Sequence, residues 1–170
     1  MKIVSFDIGE KNFAYCVGKD GANIEISQVY YYDLLQRKRQ TVVESCMLIS
    51  SILLNDFDVT TCDTILIEQQ MRANVRAQRI AQHVWTFFHT MNEMKGGAKQ
   101  IIFVPAHLKT QKFIGKNTLG PKQRKAWAIE QIIGENSVLD GHAFIKSKIR
   151  EMKKKDDVCD SILQLIAFCK

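Results

Sequence analysis

Apolar and polar positions alternate over residues 3–8, where Val4, Phe6 and Ile8 face away from Ser5 and Asp7, which is the period of a β-strand. Gly9 permits a tight turn, residues 12–17 read as a second strand, and Gly18-Lys19-Asp20-Gly21 reads as a hairpin turn into a third strand within 23–32. The period then changes. Val42, Cys46, Ile49 and Leu53 recur at helical spacing and predict a helix over 40–55. A short apolar run at 64–68 reads as a buried strand. A long helix is predicted over 73–95, with an apolar stripe of Ala77, Ala81, Val84, Phe88 and Met91 and a stop at Gly96-Gly97. Residues 101–104 read as another buried strand closed by Pro105. A basic loop over 109–124 follows, then a helix near 123–133 and a last helix over 156–169.

Three antiparallel strands followed by strand–helix alternation imply a mixed sheet with helices packed on it. Length supports one domain over residues 1–170. The net charge of +6 favours a polyanionic partner such as nucleic acid. Cys16, Cys46, Cys62, Cys159 and Cys169 are odd in number and form no C-x-x-C pair, so they read as reduced core residues of an intracellular protein in a reducing compartment. Asp7, Glu10 and Lys11 interrupt the N-terminus early, so no secretory signal is expected, and no apolar run is long enough to suggest a membrane span.

Acids stand where core packing does not want them. Asp7 lies near the end of the first strand, Glu68 ends the run Ile65-Leu66-Ile67, and Asp157 and Asp160 share one face of the final helix, roughly 60° apart. Each has an ordinary alternative: a turn residue at Asp7, a solvated strand end at Glu68, helix-dipole partners at Asp156 and Asp157, with Asp156 as the N-cap. Together they can converge at one edge of one sheet. Converging carboxylates repel unless cations neutralise them, and oxygen ligands in that number suit Mg²⁺ or Mn²⁺.

The segments Phe6-Asp7-Ile8-Gly9-Glu10-Lys11-Asn12-Phe13-Ala14, Leu66-Ile67-Glu68-Gln69-Gln70 and Lys154-Lys155-Asp156-Asp157-Val158-Cys159-Asp160-Ser161, with Val104-Pro105 and the basic loop after it, resemble in order the motifs of RuvC-like Holliday-junction resolvases, nearest the poxvirus type. The resemblance implies a ribonuclease H-like α/β fold with a mixed five-stranded sheet and helices on both faces. It implies an endonuclease that resolves four-way DNA junctions by paired symmetric nicks, as a homodimer, in the host cytoplasm if poxviral. It also implies a site of four acids and two Mg²⁺ ions, carried here onto Asp7, Glu68, Asp157 and Asp160. A basic catalytic residue is implied too, placed at Lys122 with Lys125 and Lys109 behind it. Arg72, Arg76, Arg79, Lys109, Lys125, Lys154 and Lys155 are the expected DNA contacts, which would lend salt-dependent affinity; each can equally belong to a solvated face. Val84, Trp85, Phe88 and Met91 are candidates for a dimer contact as well as for the core. The rival readings are a ribonuclease H-like nuclease on RNA–DNA hybrid or other branched DNA, and a noncatalytic DNA-binding module. A sugar-kinase or actin-like ATPase would need a second Asp-x-Gly motif and an adenosine loop, which the chain lacks.

Overall fold

The computed structural model describes residues 1–35, 40–115, 119–139 and 141–170. Its strands are β1 (Lys2–Ile8), β2 (Asn12–Lys19), β3 (Glu25–Asp33), β4 (Thr64–Gln69) and β5 (Gln100–Pro105). They form one sheet in the order β3-β2-β1-β4-β5, antiparallel from β1 to β3 and parallel from β1 through β4 to β5. The strand alternation sorts side chains onto two faces. Val4, Phe6, Ile8, Phe13, Tyr15, Ile65 and Ile67 pack against α1 (Val42–Asn55), α2 (Phe57–Thr60) and α3 (Val75–Lys95). Ile3, Ala14, Cys16, Leu66 and Val104 pack against α4 (Leu108–Ile114), α5 (Pro121–Ile133), α6 (Ala143–Glu151) and α7 (Lys155–Cys169). Helices therefore cover both faces of a mixed five-stranded sheet, as expected.

Several local expectations need revision. Gly18 and Lys19 belong to β2, and the reversal lies beyond them. At Gly18 a side chain has no room, because an added Cβ would stand 2.8 Å from the Glu25 carbonyl oxygen and 3.3 Å from Leu165 Cδ1. The helix α1 starts at Val42 behind Thr41, which makes a capping box with Glu44. The basic segment after Pro105 is not all loop: Leu108 and Phe113 turn onto the α7 side of the core and draw α4 out of it. Pro121 occupies the first turn of α5, where its missing N–H costs nothing. Gly96 ends α3 at φ 58, as its position implied. From Ser161 to Ala167 the helix α7 is buried on every side rather than along one stripe. Val84 and Phe88 are spent on the core and are closed to any partner. The five cysteines are free, and Cys16, Cys62 and Cys159 are buried. Among the described residues, no helix is long and apolar enough to cross a membrane.

Substituting Gly18→Val is expected to lower unfolding stability in urea by about 1–3 kcal/mol through overpacking. Gly21→Ala, whose nearest neighbour is 3.6 Å away, stays within about 0.5 kcal/mol of the parent. Equal stability of the two variants would contradict this packing.

Candidate active site

The parallel register sets the site. Phe6 pairs with Ile67, so the next residues, Asp7 and Glu68, end adjacent strands. Alternation sends both to the face that carries Ile3, Ser5 and Leu66, the face covered by α7. The first turns of α7 bring Asp157 and Asp160 to the same place, and the charges of Glu68, Asp160 and Asp157 all act on Asp7. The four acids singled out from the sequence thus meet at the C-terminal edge of the parallel strands, where open α/β sheets commonly bind ligands.

The basic side chain among them is Lys109. Its Nζ lies 3.0 Å from Glu68 Oε1 and 3.1 Å from Asp160 Oδ1, and its side chain is 12% exposed. Helix α4 puts it there: Thr110 is buried beside it and donates to the His107 carbonyl, while Leu108 and Phe113 hold the helix on the core. Burial works against the Lys109 charge, but Glu68, Asp160 and Asp7 outweigh it and hold its pKa above the usual lysine range. Gln70 donates to the Glu68 carbonyl at 3.3 Å and so braces the strand end.

The acids feel the reverse pressure. Burial first, then the Glu68 charge, raises Asp7 well above the ordinary carboxylate range. Burial also raises Asp160, against the lowering effect of Lys109. Asp157 is pushed up to about 6 by burial and by the neighbouring Asp156. Its Oδ2 is buried with no hydrogen-bond partner among the described residues. Oxygen donors under mutual repulsion, one of them orphaned, fit a hard divalent cation. As they stand among the described residues, no three such side chains are drawn together tightly enough to share one ion; the cation within reach of Glu68 and Asp160 is Lys109.

The remaining basic residues fall into three groups. Lys122 is exposed in the first turn of α5, and Arg72 and Arg79 are exposed on the β4–α3 turn and on α3. Lys154 and Lys155 are half-buried at the start of α7, beside Asp157. Two others are engaged internally. Arg76 Nε lies 3.1 Å from Glu10 Oε1, and its Nη2 donates to the Gln40 carbonyl at 3.1 Å, tying the β1–β2 turn to α3. Lys125 pairs with Asp156, so Asp156 is not the N-cap of α7; that position is Lys154, and the Asp156 carboxylate instead joins α7 to α5. Arg124 was not singled out from the sequence. With Lys125, Trp127 and Pro121 it walls a cavity of about 220 Å³ that opens on Glu68, Lys109 and Asp160. A cavity of about 920 Å³ lies between α1 and α3 on the other face of the sheet and is lined by none of the acids.

The family model described as Poxvirus A22 protein matches residues 1–169. Protein 97L of Invertebrate iridescent virus 3 is 26% identical, over 99% of each chain. Protein 170L of Invertebrate iridescent virus 6 is 25% identical, over 98% of this chain and 87% of that one. Among solved structures, the fowlpox virus resolvase in complex with its substrate Holliday-junction DNA superposes with a TM-score of 0.68 at 17% identity, over 99% of this chain and 97% of that one. The yeast mitochondrial Holliday junction resolvase gives 0.67 at 16% identity, over 98% and 78%. Thermus thermophilus RuvC gives 0.62 at 10% identity, over 99% and 95%. The fold is the ribonuclease H-like fold of these proteins.

The raised Asp157 has a consequence for stability. Its folded pKa, about 6, exceeds its unfolded one, so the folded state binds more protons and loses stability as pH rises through that range. His83, lowered by burial, acts in the opposite sense and is shared by parent and variant. In metal-free buffer, Asp157→Asn is therefore expected to gain melting temperature over the parent as pH goes from 5 to 7, on the order of 3 °C. A gap that shrinks over that interval would contradict the assigned charge state.

Proposed function

The chain belongs to the Poxvirus A22 protein family, and from that premise we propose that it is a structure-selective endodeoxyribonuclease that resolves four-way DNA junctions by paired nicks. The observation that carries this reading is the gathering of Asp7, Glu68 and Asp160 around Lys109 at one sheet edge, with Asp157 beside them in the first turn of α7. Support also comes from a fold shared with a resolvase bound to its junction substrate. The four carboxylates would hold two Mg²⁺ ions, with Mn²⁺ as a substitute, and those ions supply a more acidic attacking water and charge neutralisation at the scissile phosphate.

The chain's own residues do the rest. Asp7 and Asp160, largely shielded from water, keep the site's charge effective at short range. Lys109 balances Glu68 and Asp160, and with DNA present its buried ammonium would meet the transferring phosphate. Its position makes it a stronger choice than Lys122 for the basic catalytic role. Arg124 and Lys125, on the wall of the small cavity, and the exposed Arg72, Arg79 and Lys122 provide phosphate contacts, with Lys154 and Lys155 beside the acids. Arg76 serves the fold by holding the β1–β2 turn. Two copies related by a twofold axis would match the two symmetric scissile phosphates of a junction. On this reading, and given the poxvirus family, the work would be done in the cytoplasm of the infected cell.

Incubation of an end-labelled four-way junction, a linear duplex and an RNA–DNA hybrid, with Mg²⁺ and with EDTA, tests the reading. Paired nicks in the junction alone, lost in EDTA, are expected. Cleavage of the hybrid alone would transfer the site to another substrate, and no cleavage would leave a binding module. Asp7→Asn and Asp160→Asn should abolish nicking while junction binding in a gel-shift assay persists. Lys109→Met should lower the single-turnover rate by about 100-fold or more, and Lys122→Ala should weaken binding more than turnover. The reverse order for the two lysines would return the catalytic role to Lys122.

A further inference from the structure

Four carboxylates contributed by β1, β4 and α7 act together only if the helix holds one axial position against the strands. Apolar packing of Val158, Ile162, Leu165 and Ile166 seats the helix, but a slip of one helical residue moves a carboxylate by about 1.5 Å and turns it by about 100°. Directional contacts sharpen the register: the Lys109 bridge from Glu68 to Asp160 is one, and a second, buried contact joins α7 to β1.

That contact is Gln164. Its Nε2 donates to Ser5 Oγ at 3.1 Å and to the Phe6 carbonyl at 3.4 Å. Gln164 is 3% exposed and Ser5 is 0% exposed. Among the described residues these are the side-chain hydrogen bonds that cross from α7 to β1. Their place in the chain matters. Asp160 precedes Gln164 by four residues, about 6 Å along a helix, and Asp7 follows Ser5 by two residues, about 6.7 Å along a strand. The rises match, so a Ser5–Gln164 rung sets the next rung, where Asp7 and Asp160 meet. Ser5, Asp7 and Glu68 share one sheet face, so the rung lies directly behind the acids. A buried polar pair adds little net stability over an apolar pair of equal volume. Its advantage here is geometric.

We infer that Gln164, through Ser5 and the Phe6 carbonyl, is a positioning residue that fixes the register of Asp157 and Asp160 against Asp7 and Glu68. The inference rests on the four-acid reading above. The test is the double variant Ser5→Ala/Gln164→Leu, which removes both polar partners together and leaves neither unsatisfied. Its melting temperature is expected within about 3 °C of the parent. Mn²⁺ affinity, measured by calorimetry, should fall roughly 10–100-fold. On a junction substrate kcat should fall while KM changes little. Parent-like Mn²⁺ affinity and kcat in the folded double variant would overturn the inference. Should the double variant fail to fold, Gln164→Met, which keeps the volume, is read the same way. Asp7→Asn separates the two claims. If it leaves Mn²⁺ affinity unchanged, the four-acid reading fails. If it loses Mn²⁺ while the double variant does not, only the role of Gln164 fails.

Discussion

Mutual repulsion of carboxylates at one sheet edge is the constraint that the rest of this structure answers. Asp7, Glu68, Asp157 and Asp160 would not share a poorly hydrated cleft of their own accord, and burial first, then neighbouring carboxylates, raises the pKa values of Asp7, Asp157 and Asp160. Three features hold them. The parallel register of β1 and β4 puts two acids side by side at the strand ends. The helix α7, buried from Ser161 to Ala167, presses two more against them, and its apolar contacts supply the energy. Lys109 reaches in from α4 and bridges Glu68 and Asp160. The arrangement trades stability for a concentration of negative charge, which is what a site for hard divalent cations requires.

Much of this was legible in the chain. Asp7 and Glu68 interrupt strands whose neighbours are apolar, and Asp157 and Asp160 sit at helical spacing, so period alone could place them on one edge. The alternation of β1 even assigned Ser5 and Asp7 to one side. Lys109 was harder to single out because the segment from 106 to 125 carries many lysines and no long apolar period. The signal was there in Leu108 and Phe113, five residues apart, which anchor a helix too short for a period count to detect. Asp156 reads as an N-cap from its position, yet Lys125 competes for its carboxylate from thirty-one residues away, a partner that local rules do not see. Arg76 likewise has a partner distant in sequence, Glu10, whose Oε1 lies 3.1 Å from its Nε.

Ser5 and Gln164 illustrate a different limit. Each is a polar residue inside an apolar element, and only their pairing across the core explains both. Such pairs add specificity rather than energy, so a reading based on burial and periodicity passes over them. On the other side of the sheet, the aromatic group of Phe6, Phe13, Tyr15 and Phe88 fills the space under α1 and α3.

The measurement that tests the account most directly is anomalous diffraction from crystals of the chain with a four-way junction and Mn²⁺ near neutral pH. Mn²⁺ is expected among Asp7, Glu68, Asp157 and Asp160, with the Lys109 ammonium moved off Glu68 and Asp160 toward a phosphate. Mn²⁺ bound elsewhere, or Lys109 still bridging the two acids with the junction in place, would contradict it.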